Sequence, residues 1–257
     1  MKRKKQKILS AVAALVLLPF IFWYAAVPDS AIPGLISTRA ANLGVDVRVN
    51  NFRKGPLLSF SADSIIASYG GRQAFDLEGV RGRINPLGLL GLRLLVPFKA
   101  VLARGSVRGR YAYGLFSGRS ALAAKLENVQ LGDLPHLPLI KGYAGSLGAS
   151  LEYAEGPRGG AAGSLIFSAK DLRNVPYGFR TANGVIDIAP GTLRIKSISL
   201  DSADMYAKLK GRIEKGVYDM RLEMTSAGGT GDPLLRPYMI SPGYYVIPFS
   251  GRLLQLP

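Results

Sequence analysis

Few residues of this 257-residue chain have the chemistry of a reactive site. There is no cysteine, which excludes disulfides, thiolate nucleophiles and cysteine-ligated metals. The one histidine, His136, sits between Leu134-Pro135 and Leu137-Pro138. With no second histidine, nitrogen or sulfur ligands are too few for a zinc-type site. A lone histidine in a proline-rich stretch reads as a surface or packing residue, since the partners of a general base are missing. Ala144-Gly145-Ser146-Leu147-Gly148 has the outline of a nucleophile elbow with alanine for its first glycine. That motif needs a strand–turn–helix setting and a later histidine. Here the following residues alternate as a strand and His136 comes earlier, so the segment reads as a glycine-rich strand start. Gly228-Gly229-Thr230-Gly231 lacks the Gly-Lys-Ser/Thr ending of a phosphate loop and reads as a connector. Asp201, Asp204 and Glu214 fall near turns, without the opposed pair of a glycosidase. The chain therefore reads as non-enzymatic, with no cofactor and no metal.

The elements around these residues are more informative. Lys2, Arg3, Lys4, Lys5 and Lys7 precede an uncharged apolar run over 8–27. About 20 such residues cross the hydrocarbon core as a helix. Clustered positive charge keeps its own end in the cytoplasm, and Trp23 and Tyr24 suit the far headgroup layer. A cleavable signal peptide is the rival reading, and Ala25-Ala26 leaves it open. The run is longer than the roughly 7–15 residues of a signal core and ends in bulky side chains, which favours an anchor. No later stretch spans; 86–98 is broken by Gly88, Gly91, Arg93 and Pro97. The expected layout is a basic tail at 1–7, an anchor at 8–27 and an exported body at 28–257.

The body is basic. Removing the five tail charges from 33 basic side chains leaves 28 against 17 acidic ones, or +11. Its charges are scattered singly, and it is expected across a membrane from nucleic acid, so nucleic-acid binding is not the expectation. Solvated strand faces are the plain reading; contact with anionic lipid or an acidic partner is the sharper one.

A short amphipathic helix is expected over 33–44, ending at Gly44. Thereafter the period is two. Val45, Val47 and Val49 alternate with Asp46, Arg48 and Asn50. Similar alternation recurs through Leu122–Leu126, Leu147–Tyr153 and Leu165–Ala169, counted every second residue. The clearest hairpin places Met205, Ala207 and Leu209 against Met220, Leu222 and Met224 about the Glu214-Lys215-Gly216 turn. The segment 131–142, with Pro135 and Pro138, is a candidate boundary between halves 28–130 and 143–257. The fold class is therefore all-β: a mostly antiparallel curved sheet or sandwich of about a dozen strands. With so little helix, the apolar face must be covered by a second sheet, or the sheet must curl into a groove. A groove would be lined by Leu147, Leu151, Met205, Leu209, Met220 and Leu222 and could hold a lipid chain.

The order of these signals resembles the type II secretion system protein N family, or general secretion pathway protein N. The resemblance is carried by the anchor, Gly44-Val45, Gly55-Pro56-Leu57 and the Asn-Pro-Leu-Gly-Leu-Leu run at 85–90. It continues through 132–140, Gly145-Ser146-Leu147 and Gly251-Arg252-Leu253. It implies a bitopic inner-membrane protein with a periplasmic β body and other secretion proteins as partners. The opening is also similar to the AsmA and TamB-like family, which would imply a lipid-holding groove.

Overall fold

The computed structural model describes residues 23–25, 27–41, 44–134, 142–156, 160–175, 178–227 and 235–252. Most of the expected anchor, all five tail cations, His136 and Gly228–Gly231 lie outside these residues. Among the described residues no helix is long and apolar enough to cross a membrane. Helix α1 spans Ala31–Ala41. Ile32, Pro33, Ile36, Ser37 and Ala40 are half-buried, while Ala31, Gly34, Thr38 and Ala41 are exposed. The helix is tied to the body by Ser37, whose hydroxyl donates to the Val47 carbonyl at 2.7 Å.

The rest is sheet. The strands are β1 Val45–Asn50, β2 Arg53–Lys54, β3 Ser59–Tyr69, β4 Arg72–Arg83, β5 Arg93–Leu102, β6 Gly105–Gly114, β7 Ser120–Gln130 and β8 Ala144–Glu155. They continue as β9 Ala161–Arg173, β10 Thr181–Ala189, β11 Thr192–Asp201, β12 Met205–Glu214, β13 Val217–Ser226, β14 Met239–Ser241 and β15 Tyr244–Arg252. All fifteen belong to one antiparallel sheet, almost wholly in sequence order. The sandwich alternative is therefore not what the described residues form. At one edge β1 and β2 are two pieces of one strand along β3, broken at Asn51, whose φ is 50°. At the other edge β14 touches β15 only at Tyr244 and Tyr245. β7 and β8, which flank the segment offered as a boundary, are hydrogen-bonded neighbours in the one sheet.

Short turns make this meander possible. Tight antiparallel hairpins favour positive φ at both central residues, and Gly70-Gly71 and Lys215-Gly216 supply it. Between β4 and β5, Asn85 caps helix α2 (Pro86–Leu90) by accepting from the Leu87 amide at 3.0 Å. Asparagine before a first-turn proline is a strong helix start.

Register then sorts the side chains. Ala100, Val107, Leu126, Ala149, Phe167, Gly184, Ile198, Leu209, Leu222 and Ile247 lie opposite one another from β5 to β15. One residue along, the other face carries Arg81, Lys99, Arg108 and Lys125 on four adjacent strands. Because a strand's period is two, one face is mainly apolar and the other carries most of the charge, with Leu95, Val101 and Ile166 as apolar exceptions on the charged side.

The apolar face is covered unevenly. The connections at 131–134, 175–180 and 235–243 lie at one end of the strands, which we call the capped end. There Leu134 packs on the cluster around Val129, which is 0% exposed, and Leu131 packs with Ala169 and Ala182. Phe179, Val175 and Leu235 pack with Ala207, Met224, Tyr245 and Ile247. Full burial of such side chains stabilises by about 1.5–3 kcal/mol each, so this end holds most of the core. The opposite, open end has the turns at 55–58, 84–92, 114–119, 190–191 and 215–216. There residues 23–25 reach Lys54, which shares the face of Phe60 at the β2 edge, and further along Leu151, Leu165, Ile186 and Met220 stay half-buried.

Candidate binding face

The candidate site is the uncovered part of the apolar face. Its surface is shaped by aromatic rings lying over cross-strand glycines. Phe98 occupies the space a β-carbon on Gly109 would need, and Phe167 does the same at Gly184. Phe60 lies likewise over Gly82. A ring laid flat in this way protects the backbone and leaves a smooth surface.

All six residues expected to line a groove lie on this face. Leu147 and Leu151 stand on β8, Met205 and Leu209 on β12, and Met220 and Leu222 on β13. All are half-buried. They are not adjacent as one patch. Three strands separate the β8 pair from the others, a distance of about 19 Å at the usual strand spacing. The gap is filled by Leu165 and Phe167 on β9, Ile186 on β10 and Ile195 and Ile198 on β11. Leu147 packs toward the capped end beside Val129, whereas Leu151 stands further along the same strand toward the open end. Met205 and Leu222 border the Phe179 cluster.

The charged face offers little buried polar chemistry: among the described residues no polar or charged residue is buried as a whole, and one oxygen of the half-buried Asp76, Oδ1, is buried without a hydrogen-bond partner. Its best-defined group is Glu127. Lys125 lies 2.7 Å away, and its hydrogen bond and charge, with help from Arg108, hold the Glu127 carboxyl below the usual range. Ser146 of the elbow-like segment sits inside β8, paired with Lys170, as the strand reading expects. Among the described residues no group of histidine and acidic side chains could hold a metal.

One further feature joins the sheet to the segment leading from the expected anchor. Residues 23–25 are helical. The Lys54 ammonium lies 3.2 Å from the Trp23 carbonyl, 3.4 Å from that of Tyr24 and 2.5 Å from that of Val27. Asp29 stands 3.4 Å away, and the Lys54 side chain is only 11% exposed. The last carbonyls of a helix have no intrahelical donor, and a cation there satisfies both them and the helix dipole. Trp23 itself is buried, while Tyr24 is exposed. Sequence patterning had no signal for Lys54, because its partners lie about 30 residues away. No protein-family model matches the chain, and neither a curated protein nor a solved structure matches it.

Proposed function

We propose that this chain is an inner-membrane-anchored, non-enzymatic accessory component of a type II secretion system. Its periplasmic sheet acts as a scaffold between inner-membrane and outer-membrane parts. The observation that carries the reading is the apolar face left uncovered at the open end. A sheet normally buries such a face within its own domain, and an exposed apolar patch marks an interaction surface. The resemblance to the protein N family supplies the setting. The dimensions suit a bridging role: strands of 9–13 residues run about 30–45 Å. In-cell crosslinking of the full-length chain, followed by identification of the adducts, tests the reading. Recovery of secretion components from the apolar face supports it, and their absence overturns it.

A second reading is favoured by the same face having no second sheet over it among the described residues. As in the AsmA and TamB-like resemblance, the occupant would be a lipid chain lying along Leu151, Leu165, Ile186 and Met220. Native mass spectrometry of the chain extracted from membranes separates the two. A bound phospholipid supports the lipid reading, and a lipid-free body supports the scaffold.

A further inference from the structure

The open end is not uniform. Its turns nearest the anchor project a cluster of apolar side chains into solvent. Leu57, Leu87, Leu90, Leu92, Leu115 and Phe116 are between 49% and 83% exposed. Elsewhere among the described large apolar side chains, exposure of this order is found at Tyr24, at Ile166 and at the neighbouring Met239 and Ile240. The turns form one rim. The Ile84 amide donates to the Leu58 carbonyl at 2.9 Å, and the Leu115 amide to the Leu92 carbonyl at 3.0 Å. Further along, the turns at 190–191 and 215–216 carry Pro190, Gly191, Lys215 and Gly216 instead.

Three features set this rim apart from incidental exposure. The first is backbone cost. Leu57, Leu58 and Leu92 have φ of 54°, 60° and 56°. Turns of that shape favour Asn-Gly, and leucine resists the left-handed region. Leu58 is buried by it, while Leu57 and Leu92 are held outward. The second is charge. Arg53, Arg83, Arg93 and Arg119 flank the rim and are exposed. No aspartate or glutamate occurs from 47 to 62 or from 79 to 126, although the chain has 17. The third is position. Lys54, one residue before the 55–58 turn, holds the carbonyls of Trp23, Tyr24 and Val27. The rim therefore starts where the expected anchor ends.

From these we infer that the anchor-side rim of the sheet docks on anionic phospholipid of the leaflet in which the anchor ends. Leucines and Phe116 enter the headgroup boundary and the arginines meet lipid phosphates. Apolar insertion combined with basic flanks is the general recipe for interfacial binding, and each surface cation adds attraction to an anionic leaflet. The orientation follows: the open end of the apolar face opens at the bilayer, and the capped end points away from it. This inference rests on the anchored reading of the chain, and on nothing about the occupant of the apolar face.

The absence of cysteine makes the test direct. Single cysteines replace Leu87, Phe116 or, as a control at an exposed capped-end turn, Ala203 in the full-length chain. Each is labelled with a fluorophore and reconstituted into vesicles of phosphatidylcholine with a minority of phosphatidylglycerol, with or without spin-labelled lipid. Probes about 5–10 Å into the boundary should be quenched roughly threefold more than the control. Equal, weak quenching at all three positions in protein that floats with the vesicles overturns the docking and leaves the anchor intact. Protein that fails to float overturns the anchor, and the docking with it. Probe–probe contact between copies without lipid quenching assigns the rim to a second copy and also overturns the proposal.

Discussion

The two ends of the sheet are built from the same alternating strands, yet one is a core and the other a surface. At the capped end, Leu131, Leu134, Phe179 and Leu235 come from connections and fold back over the apolar face. At the open end the two-residue turns at 190–191 and 215–216 are too short to return over it, and Leu151 and Met220 stay half-exposed. The apolar residues of the strands are alike; the loops decide which of them stabilise the fold and which remain free to touch something else.

The comparison predicts unequal mutational costs. Val129→Asp should destabilise by about 3 kcal/mol or more, because it buries an unpaired charge. Leu151→Asp should cost under about 1.5 kcal/mol, since its charge can reach water. Denaturant unfolding of the full-length chain measures both, and equal costs would erase the distinction between the ends. Gly184→Val should cost about 1–3 kcal/mol by evicting the Phe167 ring. Combined with Phe167→Ala it should cost less than the sum, as residues in contact couple.

Smaller effects belong to the polar groups. Lys54→Met should cost about 1–2 kcal/mol by stranding helix-end carbonyls. Trp23 is the only tryptophan, so its emission should shift to the red if the joint opens. Lys99→Thr should stabilise by a few tenths up to about 1 kcal/mol, because Lys99 stands between Arg81 and Arg108 and like charges directly opposite repel. Glu127 gives the smallest effect. Its carboxyl is lowered in the folded state by Lys125, so its contribution is present above the ordinary glutamate range. That contribution is lost as pH falls through the lowered value. Lys125→Met should flatten the acid limb of the unfolding midpoint.

Much of the fold was legible in the sequence. Alternation placed β1, β8, β12 and β13, and the turn glycines placed their hairpins. Strands β10 and β11 were missed for a physical reason. Gly184 interrupts the apolar alternation, and bulges at Val185/Ile186 and between Ile195 and Ile198 shift its phase. Losing those strands split the groove residues into two groups. The choice between sandwich and single sheet was equally hidden, because pairing order is not written in a period of two. The rim was hidden too: Leu57 and Leu92 read as ordinary apolar residues, and only their backbone and exposure set them apart.

The most direct test asks whether the open part of the apolar face touches anything in the cell. A photocrosslinking residue is placed at Leu151 or Met220 in the anchored, full-length chain, with Lys208 on the charged face as the reference. The account predicts abundant adducts, to secretion components or to lipid, from Leu151 and Met220 and few from Lys208. Equal yields at all three, or none at the apolar positions, would contradict it.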